Sequence, residues 1–249
     1  MKKILVLVDF SAPSVNAVDY AADLARDKDF GEVILMANLF VPLFEQIVPT
    51  ADLTQVDAVD ISGRKEKMMQ QLQKLQTRLE KNLPPAIKTS TVIGSHALLR
   101  SVLHEVAADG PSLVIVGISK RNTMEDCSIG RQIIPLAKVT PVPLLVIPPE
   151  SHYRPIEDVL VARAPADASQ PVPPGTTEAL VTLFGEVHYQ QYALEKKDML
   201  QGVLQAAAER KVQIIIALPG KRSFFYNLTH QNIMHGIVLN AEKPVLILK

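Results

Sequence analysis

The stretch "GISKRNTMEDCSIGRQ", residues 117–132, follows the apolar run LVIV and leads into a helix-like segment. Gly117 closes a strand and Gly130 opens a helix, an arrangement by which many α/β proteins hold a phosphate. Free backbone N–H groups and the positive end of the helix dipole favour an anion there. Asp9, which ends the first apolar run, would meet the ribose of a mononucleotide whose phosphates lie over 117–131. Lys120 and Arg131 stand where such a loop carries small residues. A lysine puts a side chain into space that phosphate oxygens need. Either cation can instead bind an anion by charge, arginine as a bidentate donor. The plain alternative is a strand-end carboxylate capping a helix, with two glycines serving turns.

Such a site needs a scaffold that brings distant strand ends together. Lys3–Val8 is a continuous run suited to a parallel strand covered on both faces. Ser11 is placed to cap a helix with Pro13 in its first turn, and Val15, Val18, Ala21, Ala22 and Ala25 share one helical face. Val33–Phe40, Ile87–Ile93, Leu113–Val116 and Pro143–Ile147 read as further strands. Arg64–Asn82, Ala97–Asp109 and a segment from about Ser128 to Val139 read as helices. Met68, Leu72, Leu75 and Leu79 have the spacing of a core-facing stripe. Five strands joined by helices predict a doubly wound parallel sheet. With the strand order 3-2-1-4-5, its ligand crevice lies between strands one and four, marked by Asp9 and Gly117. The segment 41–62 is long and partly apolar for a loop, and reads as a lid or an intersubunit contact.

Pro148 and Pro149 mark a boundary between a unit at 1–150 and a shorter one at 151–249. The second half repeats strand, polar loop, helix, proline and terminal strand at a register of 100 residues from Val116 to Ile216, which becomes 101 at Pro143 and Pro244. This reads as a tandem duplication. One β–α unit is missing from the second copy, and "APADASQPVPPG" (164–175) replaces the start of its first helix. Ile156–Ala162 reads as its opening strand, while Gln190–Ala193 and Asp198–Ala208 match Ser90–Ile93 and Ala97–Ala107. Arg163 falls opposite Asp9, and Ala217, Gly220, His230 and Gln231 fall on the loop positions.

The opening "KILVLVDFSAPSVNAVDYAADLA", the strand "LVIVGI" and the close "PVPLLVIP" resemble the universal stress proteins, a family that includes tandem members. The resemblance implies two Rossmann-like, adenine nucleotide α-hydrolase-like sheets in tandem, the second truncated. ATP-binding members carry G-x-x-G-x(9)-G-[ST] after the fourth strand. Gly117 and Gly130 match its first and third glycines, whereas Lys120 and Arg131 replace the second glycine and the Ser/Thr. Asp9 matches the family's aspartate near the nucleoside, and Val41 the segment that touches the base through its backbone. The implied function is a non-enzymatic stress-response binding or regulatory protein with weakened or lost ATP binding. Its rivals are a slow ATP-hydrolysing sensor and a structural partner protein.

Equal counts of 26 Lys+Arg and 26 Asp+Glu in 249 residues leave no basic footprint for nucleic acid or an anionic membrane. The single cysteine, Cys127, has no disulfide partner in the chain, and the apolar N-terminal run stops at Asp9, so the expected compartment is the cytoplasm. No G-x-S-x-G, H-E-x-x-H or C-x-x-C occurs, and neither a catalytic cysteine nor a metal site is expected. No cofactor is assigned to the N-terminal half: ATP, another anionic ligand, or a site left empty or filled by the chain itself are the open alternatives. The terminal strands are expected to pair with each other within the chain. An unidentified protein partner, or a homodimer through edges left free, would be the further associations.

Overall fold

The computed structural model describes residues 1–41, 58–119, 132–163, 172, 174–193, 199–217 and 232–248. The first half runs β1 (Lys2–Val8), α1 (Ala12–Asp27), β2 (Phe30–Asn38), α2 (Ala58–Asn82), β3 (Lys88–Gly94), α3 (Leu98–Asp109), β4 (Leu113–Gly117), α4 (Ile133–Val139) and β5 (Leu144–Ile147). The second runs β6 (Asp158–Arg163), α5 (Pro174–Phe184), β7 (His188–Ala193), α6 (Met199–Glu209), β8 (Ile214–Ala217), α7 (Asn232–Asn240) and β9 (Val245–Ile247).

All nine strands form one sheet in the order β3-β2-β1-β4-β5-β9-β8-β6-β7. Every ladder is parallel except that of β5 with β9, where Leu144, Leu145 and Val146 face Ile247, Leu246 and Val245. The first five strands have the expected order, and the terminal strands of the two halves meet at the antiparallel ladder.

The unbroken apolar runs follow from this layering. Alternate residues of a strand point to opposite faces, and both faces are covered. Ile4, Val6 and Val8 pack with Ala17, Val18 and Ala21 of α1 and Leu72 and Leu79 of α2. Leu5 and Leu7 pack on the other side with Val102 and Val106 of α3 and Ile133 and Leu136 of α4. The second half continues the same division, with Leu180 and Leu183 of α5 in the first layer and Val203 and Ile237 of α6 and α7 in the second. Each fully buried aliphatic side chain contributes about 1.5–3 kcal/mol relative to exposure. The α2 stripe is as expected: Leu72 and Leu79 are buried, with Met68 and Leu75 packed against the same core.

Several expectations need correction. The second strand starts earlier and ends earlier than Val33–Phe40, at Phe30 and Asn38, because Phe30 is itself buried beneath Lys2. Residues 58–62 are the first turns of α2, not part of a loop, and residues 42–57 lie outside the described residues. The fourth helix is described only from Ile133. β7, matched in sequence to β3, pairs directly with β6 and so occupies the place β2 has beside β1. The N–H and C=O groups along that side of β6 need a neighbour, and β7 supplies it. α5, which no clear periodicity announces, starts at Pro174 immediately after the proline-rich segment.

Among the described residues no helix is long and apolar enough to cross a membrane.

Candidate functional site

The carboxyl ends of β1 and β4 lie side by side, since Leu7 pairs with Val116. Chain reversal after β1 is tight. Phe10 takes a left-handed conformation at φ 63, and the Asp9 carboxylate accepts hydrogen bonds from the Ser11 amide, at 3.1 Å, and from the Ser11 hydroxyl. Ser11 then caps α1, accepting from the Ser14 amide, while the Ser14 hydroxyl donates to the Ser11 carbonyl at 2.9 Å. Asp9 thus organises the helix start through Ser11.

The first turn of α1 presses on the end of β4. A Cβ on Gly117 would lie 2.1 Å from the Pro13 carbonyl oxygen and 2.5 Å from its carbon. Both atoms are backbone, so no rotamer change relieves the clash. Gly117 is required by packing, whatever the loop after it binds.

Beside this turn is a cavity of about 450 Å³. Val8, Met36, Phe40, Met68 and Leu98 supply apolar wall, and Asp9, Asn38 and Gln132 supply polar groups. This combination of apolar lining with few polar groups suits a planar, partly polar small molecule. Phe40 is 48% exposed, an unusual state for a large aromatic side chain at the mouth of a cavity. Asn38 donates from Nδ2 to the His96 carbonyl at 3.1 Å, and Ser101 Oγ both donates to that carbonyl and accepts from the His96 amide, each at 3.1 Å. The β3–α3 turn that forms one side of the cavity is therefore held from two elements. Asn38 Oδ1 is buried without a hydrogen-bond partner among the described residues.

Of the residues singled out from the sequence, Asp9 lies on the cavity and Gly117 at the adjacent strand end. Val41 is partly buried just beyond β2, and Phe40 rather than Val41 lines the cavity. Lys120, Gly130 and Arg131 lie outside the described residues, as do Cys127, Gly220, His230 and Gln231. The residues missed were Asn38, Phe40, Met68 and Gln132. Only Asn38 left a sequence signal: it is a polar residue ending the ILMA run, as Asp9 ends LVLV. His96, His104 and His188 are exposed.

A doubly wound, mostly parallel sheet with a crevice outside the ends of β1 and β4 defines an α/β protein of the nucleotide α-hydrolase-like class. The family model of the universal stress protein family matches residues 1–148, and the chain belongs to that family. Among solved structures the chain is similar to a universal stress protein from Archaeoglobus fulgidus, with 12% identity, a TM-score of 0.69, and coverage of 99% of this chain and 98% of that one. It is also similar to a functionally unknown protein from Pseudomonas aeruginosa, with 12% identity, a TM-score of 0.54, and coverage of 100% and 92%. At such identities the likeness is one of fold, and it extends over both halves. No curated protein matches the chain.

Proposed function

We propose that this chain is a tandem universal stress protein, a non-enzymatic cytoplasmic binding or regulatory module whose N-terminal nucleotide site is weakened. The observation that carries this reading is the contact of Pro13 with Gly117. It accounts for that glycine by packing, so a preserved glycine implies no preserved phosphate site. Asp9 is likewise accounted for by Ser11. In the sequence, Lys120 and Arg131 break the rest of the phosphate loop. The cavity beside Asp9 remains large enough for a nucleoside-sized ligand.

That cavity also favours a second reading, a nucleotide-binding sensor with slow hydrolysis. Calorimetric ATP titration of the full chain separates the two. The double change Lys120→Gly, Arg131→Ser restores the family pattern and is expected to raise ATP affinity about tenfold, equivalent to about 1.4 kcal/mol. Asp9→Ala in that background is expected to lower it again. Micromolar ATP binding by the parent, weakened by the double change, would make the two cations ligands and the sensor reading correct.

A further inference from the structure

A second cleft, of about 190 Å³, shares no lining residue with the cavity at Asp9 and is built by both halves of the chain. Tyr20 comes from α1, His152 and Arg154 from the connection between β5 and β6, Lys211 from the turn after α6, and Lys243 from the turn before β9.

Tyr20 is the telling residue. It is only 3% exposed and its ring meets that of Tyr153 edge-on, with centroids 5.2 Å apart. Its hydroxyl has no hydrogen-bond partner among the described residues and is not one of their closed-off polar atoms, so on the wall of the cleft it is open to whatever enters. Burial raises its pKa, so it remains a donor. Arg154, Lys211 and Lys243 also line the cleft, and none forms an ion pair among the described residues. Lys211 adopts φ 54, a left-handed conformation just past the end of α6 where glycine is the usual residue. Glu150 and Glu242 stand at the same cleft, so three fixed cations face two carboxylates. That balance favours a single oxyanion and disfavours a polyphosphate tail. The volume also falls below that of ordinary nucleotide pockets.

We propose that this cleft binds a small phosphate-type oxyanion, held by Arg154, Lys211 and Lys243 with the Tyr20 hydroxyl as a donor, and thereby bridges the two halves.

Titration of the full chain with inorganic phosphate, followed by calorimetry and by melting temperature, tests this. Saturable binding is expected, about tenfold weaker in Arg154→Gln and severalfold weaker in Tyr20→Phe, which keeps the ring contact. Lys211→Gly separates binding from folding: it should weaken phosphate binding while raising the melting temperature without phosphate, because glycine relieves the left-handed backbone. The absence of saturable binding overturns the proposal, as does a Lys211→Gly protein that binds phosphate like its parent. Binding that survives Arg154→Gln but disappears in the Lys120→Gly, Arg131→Ser variant places the anion after β4 and overturns it too.

Discussion

The segments leaving β1 and β6 follow corresponding strands and differ in length before the next helix. Residues 9–11 separate Val8 from Ala12, whereas residues 164–173 separate Arg163 from Pro174. The short connection sets α1 so close to β4 that only glycine fits at 117. At the corresponding position in the second half, Ala217 carries a methyl group and is buried. The requirement for glycine thus travels with the length of the preceding turn. A strand-end glycine in this fold reports how near the neighbouring helix begins before it reports a ligand.

A second exchange supports the same lesson. Where α3 meets β3 the strand supplies the glycine, and a Cβ on Gly94 would lie 2.6 Å from Ser101 Cβ. Where α6 meets β7 the helix supplies it, and a Cβ on Gly202 would lie 2.9 Å from the Tyr192 hydroxyl. In each half one glycine lets the helix approach the strand beside it, on the strand in the first case and on the helix in the second, as close packing requires.

The largest expected effect comes from separating the halves that this comparison sets side by side. Val146→Pro removes a ladder hydrogen bond at the β5–β9 junction and should cost about 3 kcal/mol or more. Two unfolding steps in urea and faster cleavage within 148–155 are expected in place of one cooperative loss. Next, Gly117→Ala forces backbone apart and should destabilise by about 2–3 kcal/mol, while Ala217→Gly should cost about 1 kcal/mol or less. Equal costs in chemical denaturation would break the argument from turn length. Ser11→Ala removes the α1 cap and should cost about 1 kcal/mol.

The smallest effect concerns Glu105, whose counterpart in α6 is the buried Ala206. Burial, with the neighbouring Asp109, pushes the Glu105 carboxyl from 4.5 to about 7, against a smaller opposing pull from Lys3. Between those values the folded chain binds more protons than the unfolded one, so the parent loses stability as pH rises from 4.5 to about 7. Glu105→Gln should therefore match the parent best near pH 4, below the unfolded value, and exceed it by about 1 kcal/mol at pH 8, as denaturation at the two pH values would show.

Much of the first half was legible because a strand buried on both faces must be a continuous apolar run, and LVLV, LVIV and LLVI are such runs. Ser11 and the α2 stripe were legible because capping and helical spacing are local. The new neighbour of β7 was not, because a strand's sequence states its burial and not which edge lies open beside it. The Gly117 contact was equally hidden: Pro13 lies far away in the chain, and the loop pattern alone suits both a phosphate and a steric need. The cavity draws Met36, Met68, Leu98 and Gln132 from four different elements, so no single stretch announces it.

The antiparallel ladder of Leu144–Val146 with Val245–Ile247 joins two strands that one covalent chain carries. Its closure is therefore unimolecular, governed by an effective local concentration and not by how much protein is present. Dilution that would dissociate two separate subunits leaves this joint intact. The nine-stranded sheet should persist as one piece at any protein concentration.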